Sequence, residues 1–293
     1  FQKVAKKIDF LNSKQFVDLI EEARNNDLTL YNANPDVFGP DFDASVLTDP
    51  LNYSAGNVNT VWLDEVMRTA PINSYELNVK GGNEKTRFYM SGGYFDQQGI
   101  VIEDYFKRIN ARVNIDHSIT DRLTVGANLS ISKTTNRRSF NDDTYSGIIT
   151  NAIGASPLMP VYDENGNYSR FEDYQASWLS DNPVKSAHEI RGFTDGYRFL
   201  GSAFAEYKIS SALKFKTSWS TDYNSLTDKL FLSPITTDGE AIGGRATKAN
   251  FSSTSWLNEN ILSFQKSYDK HNLGLLAGFT QQSTTSDRNA VSG

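Results

Sequence analysis

The residue types that most often carry chemistry are sparse in this sequence and lie far apart. The three histidines, His117, His188 and His271, fall in predicted turns or loops. None has a partner at the spacing of a zinc or catalytic site. The run from Asp163 to Asn167 resembles a calcium-binding loop but lacks its ligand spacing and its final bidentate glutamate. A polar turn is therefore the favoured interpretation of that run.

Other catalytic motifs are also missing. The segment from Ala241 to Arg245 contains two glycines but no following lysine and Ser/Thr, so it predicts a loop tip rather than a phosphate site. No Gly-x-Ser-x-Gly nucleophile elbow occurs. The carboxylate pairs Asp142-Asp143 and Glu172-Asp173 lie in acidic loops, where such neighbours arise by chance. We therefore expect no enzyme, no catalytic residue, no metal and no cofactor.

Composition narrows the function further. The chain has 293 residues, with 29 basic and 35 acidic side chains and a net charge of −6, which argues against nucleic-acid binding. It has no cysteine, so disulfides and thiolate sites are excluded. The mean hydropathy of −0.49 is that of a soluble protein. Transmembrane β-strands, however, need only about 9–11 residues and alternate polar with apolar, so averaging hides them.

Helical signals are few and come early. Asn12, with Gln15 three positions later, predicts the capping box of a helix that ends at residues 25–27. Shorter helices are predicted over residues 60–69 and 144–153. The stretches between them are rich in Pro, Asn and Asp and predict loops.

From residue 74 onward the hydrophobic pattern has period two, clearest between Arg108 and Asp116. Such alternation gives a strand one wet and one apolar face, which suits either a soluble β-sandwich or an outer-membrane barrel. The predicted strands are 74–80, 87–95, 108–116, 123–132, 199–209, 213–219, 251–264 and 273–280.

Two further features favour the barrel. The connections alternate between tight turns and long segments (96–107, 134–196 and 223–250), as short periplasmic turns and long external loops do. Aromatic residues also gather near strand ends, as interfacial girdles require. These aromatics are Tyr75, Phe88, Tyr94, Phe95, Tyr105, Phe106, Tyr197, Phe199, Tyr207, Trp219, Tyr223 and Tyr268.

Several blocks of the sequence resemble the SusC/RagA-like TonB-dependent transporters of Bacteroidetes outer membranes. The most specific are Gly-Gly-Asn-Glu-Lys-Thr at 81–86 and Gly-Gly-Tyr-Phe-Asp-Gln at 92–97. The resemblance covers most of residues 7–132. After Tyr197 only the alternating pattern that is typical of barrel strands remains similar. The other similar segments are Asp9–Asn12, Trp62–Ala70, Ser74–Lys80 and Arg108–Asn114.

The resemblance implies an all-β fold: about eight antiparallel strands of a larger 22-stranded transmembrane barrel, with long external loops that carry short helices. Residues 1–73 are then the first external loop, and residues 74–293 are barrel, with a long loop at about 134–196. We expect the chain to be an internal piece, since a plug, a TonB box and the C-terminal strands are missing. The implied function is import of oligosaccharides or other large nutrients across the outer membrane of a Gram-negative bacterium.

The implied partners are a SusD-like surface lipoprotein, the TonB complex, outer-membrane lipid and an oligosaccharide or peptide nutrient, with no nucleic acid. The family's long loops also allow calcium. Inward-facing polar residues would line the lumen, either to solvate it or to contact substrate: Glu76, Lys80, Arg108, Arg112, Asn114, Asn128, Glu206, Lys214 and Lys216.

Aromatic residues of the long loop are candidate substrate contacts, because aromatic faces stack on sugar rings. Packing of the loop on itself or on the lipoprotein is the favoured alternative. They are Tyr145, Tyr162, Tyr168, Phe171, Tyr174 and Trp178. The alternative function is a soluble β-sandwich that binds glycans, in which the alternating apolar residues would face a second sheet.

Overall fold

The computed structural model describes residues 1–48, 57–139, 147–174 and 181–293. The strands form one eight-stranded antiparallel sheet in which each strand pairs with its neighbours in the sequence. The strands are β1 Ile72–Gly82, β2 Thr86–Gln98, β3 Tyr105–Ser118, β4 Leu123–Arg137, β5 Ile190–Lys208, β6 Leu213–Leu232, β7 Arg245–Tyr268 and β8 His271–Ser292.

The helices lie in the connections at one end of the strands. Short 3₁₀ helices cover Pro35–Phe38 and Phe171–Asp173. None of the described helices is long and apolar enough to cross a membrane. The α-helices are α1 Ser13–Ala33, α2 Ser45–Thr48, α3 Trp62–Val66, α4 Ile148–Gly154, α5 Pro183–Glu189 and α6 Thr237–Glu240.

The first helix begins as predicted but ends later. Asn12 and Gln15 form the reciprocal capping box. The predicted end at residues 25–27 is wrong, because α1 continues to Ala33. Packing of the Tyr31 ring 5.8 Å from the Phe38 ring holds its last turn. The predicted helices at 60–69 and 144–153 correspond to α3 and α4, and residues 144–146 lie outside the described part of the chain.

The strand register sorts the side chains onto two faces, because directly opposed residues of antiparallel strands share a face. We call these the polar face and the apolar face. On the polar face, Arg112 lies opposite Ser91 and Ser130. On the apolar face, Ile131 lies opposite Ala111 and Phe199. Most of the predicted aromatic girdle lies on the apolar face, but Phe95 and Phe106 lie on the polar face.

The alternation of short and long connections is confirmed, although the long ones are shorter than predicted. Tight turns join β1 to β2, β3 to β4, β5 to β6 and β7 to β8, while the remaining joints are residues 99–104, 138–189 and 233–244. The strands extend further because hydroxyl and amide pairs support them where apolar alternation has ended. Ser253 pairs with Ser286 at 2.9 Å, and Asn250 donates to Asn289 at 2.9 Å.

Apolar core packing lies almost entirely outside the sheet. We call residues 1–48, 57–71, 99–104, 147–174 and 181–189 the external cap, because they lie outside the sheet, beyond one end of its strands. Of the buried apolar residues in the described chain, only Ile190 and Leu232 belong to strands, and both are strand ends. The core of the external cap consists of Trp62, Leu63, Val66, Val101, Ile148, Ala152, Met159, Phe171, Val184 and Ala187.

The soluble β-sandwich alternative is wrong. Across the described ranges there is one sheet, and no second layer covers its apolar face. Leu77, Ile109 and Ile131 on that face are 74%, 58% and 54% exposed. A sandwich would bury these side chains between two sheets. The apolar face must therefore meet an apolar environment outside this chain.

Candidate functional site

The polar face carries the first candidate site, a groove of about 600 Å³ that crosses β3 to β8. Alternation along each strand and the register between strands place all nine predicted lumen residues on this face. Arg112, Asn114 and Asn128 line the groove itself. The other polar side chains of this face that line the groove are Ser130, Ser202, Ser220, Asp222, Ser255 and Gln282.

The remaining predicted lumen residues lie on the polar face beside the groove. Glu76 and Lys80 are on β1, and the Arg108 guanidinium lies 5.7 Å from the centre of the Phe95 ring. Lys214 Nζ lies 3.7 Å from the Glu206 carboxylate.

Lys216 is directly opposite Glu206 in the register, and its Nζ lies over the Phe204 ring at 4.6 Å. Sequence alternation therefore placed these nine side chains on a common face. Whether any of them contacts substrate stays a prediction.

The groove has a mixed lining: hydroxyl and amide groups lie beside the charged Arg112 and Asp222 and the apolar Leu200 and Leu257. Asn128 donates to Ser202 Oγ at 3.4 Å, and both Thr284 and Gln282 donate to Ser255 Oγ, at 3.0 and 3.4 Å. These groups both donate and accept hydrogen bonds. The arrangement can therefore bind neutral polar molecules.

The candidate aromatics of the long loop pack largely against the protein. The rings of Tyr162 and Tyr168 stack with centroids 5.3 Å apart. Phe171 is buried in the core of the external cap, and Tyr168 and Tyr174 pack against that core. Burial also raises the pKa of the Tyr168 hydroxyl. Their role in substrate binding stays a prediction, and Tyr145 and Trp178 lie outside the described residues.

The segment that resembles a calcium loop is a tight turn between Tyr162 and Tyr168. One carboxylate oxygen of Asp163 accepts hydrogen bonds from the backbone N–H groups of Asn165 and Asn167, at 2.9 and 2.8 Å. The Asn167 contact is the main cause that lowers the pKa of Asp163. Gly166 supplies the left-handed conformation, at φ +82°, that closes the turn.

The histidines remain apart in the structure. His117 Nδ1 lies 2.8 Å from Thr86 Oγ1, and His188 Nδ1 lies 3.5 Å from the Glu103 carboxylate. His271 begins β8. In the described part of the chain, no group of three or more His, Asp or Glu residues is placed to hold a metal ion.

A buried ionic link that the sequence did not reveal joins two external connections. The buried side chain of Asp181 forms an ion pair with Lys185 one turn along α5. Its other carboxylate oxygen accepts a hydrogen bond from the backbone N–H of Thr237 at 3.1 Å. This bond links the 138–189 connection to the 233–244 connection. The Asn182-Pro183 sequence signals the helix start, but the partner in α6 is a tertiary contact that no local pattern encodes.

No protein-family model matches the chain. Among curated proteins it is similar to TonB-dependent receptor P3 of Formosa agariphila, with 30% identity over 239 residues, which covers 79% of this chain and 23% of that receptor. TonB-dependent receptor SusC of Bacteroides thetaiotaomicron is 31% identical over 121 residues, covering 41% of this chain and 12% of SusC. The chain thus spans less than a quarter of the length of these relatives.

Solved structures show the same fold. A structure of the RagAB peptide transporter aligns with this chain at a TM-score of 0.72 and 21% identity. The alignment covers 99% of this chain and 34% of the transporter chain. The RagAB peptide importer in its closed-closed state aligns with 80% of this chain and 27% of its own, at a TM-score of 0.66 and 24% identity. The resemblance to SusC/RagA-like TonB-dependent receptors is confirmed. The sheet, which is not closed here, matches a segment of their transmembrane barrel.

Proposed function

We propose that this barrel segment of a SusC/RagA-like TonB-dependent receptor forms part of the wall of an outer-membrane importer for oligosaccharides or other large nutrients. The observation that carries the proposal is the unlike chemistry of the two open faces of one sheet. One face is apolar and meets hydrocarbon, and the other is polar and meets a water-filled bore.

The length of the apolar band supports placement in a membrane. On the apolar face, starting from the tight turns, the first charged side chain is Asp96 in β2, Lys107 in β3 and Lys133 in β4. Each of these residues is about ten residues along its strand, the length of a transmembrane β-strand. The short turns then face the periplasm, and the external cap faces the outside of the cell.

The partners follow from this orientation. A SusD-like lipoprotein would cover the external side, where the external cap and the 233–244 connection lie. The TonB complex would act from the periplasm, through parts of the receptor that lie beyond this segment. The similarity to SusC and to the RagAB structures supports both partners.

An oligosaccharide is the proposed substrate class because, beside the charged Arg112 and Asp222, most polar groups of the groove are neutral hydroxyls and amides. Such groups exchange hydrogen bonds with sugar hydroxyls without the strong, fixed attraction of a charge. Among the loop aromatics, Tyr162 is 49% exposed and is the one we propose contacts a sugar ring. A peptide substrate is the other outcome that an uptake experiment should distinguish.

Adjacent single-cysteine variants test the placement of the two faces. This segment has no cysteine, so Ser202→Cys and Ala203→Cys in a cysteine-free full-length receptor are matched neighbours on opposite faces. A membrane-impermeant maleimide should label Cys at 202 and spare Cys at 203 in cells or proteoliposomes. Equal labelling of both positions would overturn the membrane placement.

Transport is tested with the same receptor. Cells that depend on it should take up a fluorescent oligosaccharide, and deletion of the TonB gene should abolish that uptake. Preincubation with the oligosaccharide should slow labelling at position 202. Protection by oligopeptides alone would replace the proposed substrate class with peptides, and uptake independent of TonB would overturn the energised mechanism.

A further inference from the structure

Two lysines lie on the apolar face directly above its uncharged band. The register places Lys133 opposite Ile109 and Tyr197, and Lys107 is two residues beyond Ile109 on the same face. Diagonal neighbours of this kind have side chains about 7–8 Å apart at their bases. Their flexible ammonium groups can therefore converge on one anion. We call Lys107 and Lys133 the lysine pair.

The direct contacts of the lysine pair are aromatic rings. The acidic neighbour of Lys133 on this face is Asp195, which forms its ion pair with Lys229 and accepts a hydrogen bond from Thr135. Lys107 Nζ lies 5.1 Å from the centre of the Tyr105 ring, and Lys133 Nζ lies 5.4 Å from that of Tyr197. Neither has a carboxylate within 4.0 Å in the described residues.

The acidic residue opposite Lys107 is Asp96. Its two oxygens already accept hydrogen bonds from the Tyr94 hydroxyl and the Gln98 amide, at 3.2 and 2.9 Å. The ammonium groups of the lysine pair therefore keep their hydrogen-bonding capacity for a ligand.

The surrounding surface is basic although the whole chain carries a net charge of −6. On the apolar face above the band, basic strand residues outnumber acidic ones. The basic residues are Lys107, Lys133, Arg137, Arg191, Lys229 and Lys248, and the acidic ones are Asp96, Asp195 and Asp287. Lys229 is paired with Asp195, and Arg137 is paired with Glu103 of the neighbouring connection. The basic excess that remains lies in Lys107, Lys133, Arg191 and Lys248, against Asp96 and Asp287. An anionic partner is therefore favoured at this height.

The surface below the lysine pair is apolar. Ile109, Leu129 and Ile131 are exposed there. A partner that fits this surface needs hydrocarbon chains to cover the apolar residues and an anionic headgroup to contact the lysine pair. A phosphorylated lipid of the outer leaflet has that form, whereas a soluble anion would leave the apolar part uncovered.

We propose that the lysine pair binds the phosphorylated headgroup of an outer-leaflet lipid whose acyl chains lie on Ile109, Leu129 and Ile131. This inference rests on the proposed membrane placement. The site holds the receptor at a fixed height in the bilayer, since it joins the top of the apolar band to the lipid surface.

The test uses the full-length receptor in nanodiscs of phosphatidylcholine that contain a minor fraction of bis-phosphorylated lipid A. Native mass spectrometry counts the lipid A molecules retained per receptor. With each lysine near a charged lipid surface contributing about 1 kcal/mol, the double variant Lys107→Gln/Lys133→Gln should bind lipid A on the order of 30-fold more weakly.

Lys266→Gln is the matched control. Lys266 also lies on the apolar face, with its Nζ 4.9 Å from the Tyr268 ring, but at the opposite end of the sheet. It should retain lipid A as the wild type does. Lipid A without its phosphates should bind the wild type and the double variant equally weakly.

The outcomes separate the two proposals. Normal insertion with equal lipid A retention by wild type and double variant would overturn the lipid site alone. Failure of the wild type to insert would overturn the membrane placement as well. Displacement of lipid A by millimolar inorganic phosphate would show a soluble-anion site and would also overturn the proposal.

Discussion

The sheet and the external cap differ in how they exclude water. The external cap is irregular, yet it buries Trp62, Val66 and Met159 in a core of its own. The sheet is regular, yet between its strand ends both faces remain open. The difference shows that the external cap has a hydrophobic core of its own, whereas the sheet has none between its strand ends. With the membrane placement proposed above, the sheet depends on lipid at one face and on polar contents at the other.

The largest expected effect tests the core of the external cap. Met159 is fully buried, and truncation to alanine there should cost about 2–5 kcal/mol because it leaves a cavity. In the full-length receptor, limited proteolysis should cut the external cap of Met159→Ala while the strands stay protected. Ile153→Ala is the control, since Ile153 is 48% exposed. Simultaneous loss of the strands would show that the two regions are not independent.

The second prediction tests dependence of the sheet on lipid. Val113 lies on the apolar face in the middle of the uncharged band, and an arginine there should cost about 2–4 kcal/mol. Val113→Arg should lower the amount of full-length receptor in the outer membrane. Asn114→Arg, one residue along on the polar face, should be tolerated. Equal membrane levels of the two variants would contradict the assignment of the faces.

A smaller effect is expected at the link between two external connections. Asp181→Asn removes the buried charge that pairs with Lys185, and should cost about 1–3 kcal/mol because a charged hydrogen bond is lost. Hydrogen exchange should become faster in α5 and at the Thr237 amide. Glu172→Gln removes an exposed ion pair with Arg170 and should change exchange little. Unchanged exchange in Asp181→Asn would show that the link does not hold the two connections together.

The smallest predicted effect is a pH dependence of the external cap. Burial raises the pKa of Asp104, against the opposing hydrogen bonds from Ser139. The folded state therefore binds this proton more tightly than the unfolded state, so its contribution to stability is present at low pH and is lost as pH rises through the raised pKa.

The measurement is resistance of the external cap to an acid-tolerant protease from mildly acidic to neutral pH. Asp104→Asn should flatten the dependence, because the amide cannot ionise while its oxygen still accepts from Ser139. A wild-type profile that rises with pH, or an identical slope in the variant, would show that another group sets the dependence.

Sequence patterns predicted the strands well near the tight turns and poorly near the long connections. Between Arg108 and Asp116 the two faces of the strand differ in polarity, so apolar and polar residues alternate and the sequence predicts the strand clearly. Residues 223–232 and 245–250 extend β6 and β7 toward the long connections, where polar residues occur on both faces. Alternation disappears there although backbone pairing continues, and the sequence predicted loops.

The external cap was least predictable because its core joins distant segments. Trp62 donates to the backbone carbonyl of Ser156 at 3.0 Å, and no local pattern encodes that contact. Composition likewise could not decide whether Phe171 packs or binds a ligand, and the structure places it in the core. The nine polar side chains of the predicted lumen share one face because strand alternation alone sets that property.

Pairing of every strand with its sequence neighbours bears on how the receptor is assembled. Each strand pairs with the strand before it, so the loop-closure entropy is small at the tight turns and largest at the 138–189 connection between β4 and β5. The hydrogen bond from the Thr60 amide to the Pro157 carbonyl, by contrast, spans the first four strands. The external cap therefore joins residues from both sides of β1 to β4, whereas each strand of the sheet pairs only with its neighbours in the sequence. Closing the core of the external cap thus requires contacts over a much longer stretch of chain than closing any hairpin does.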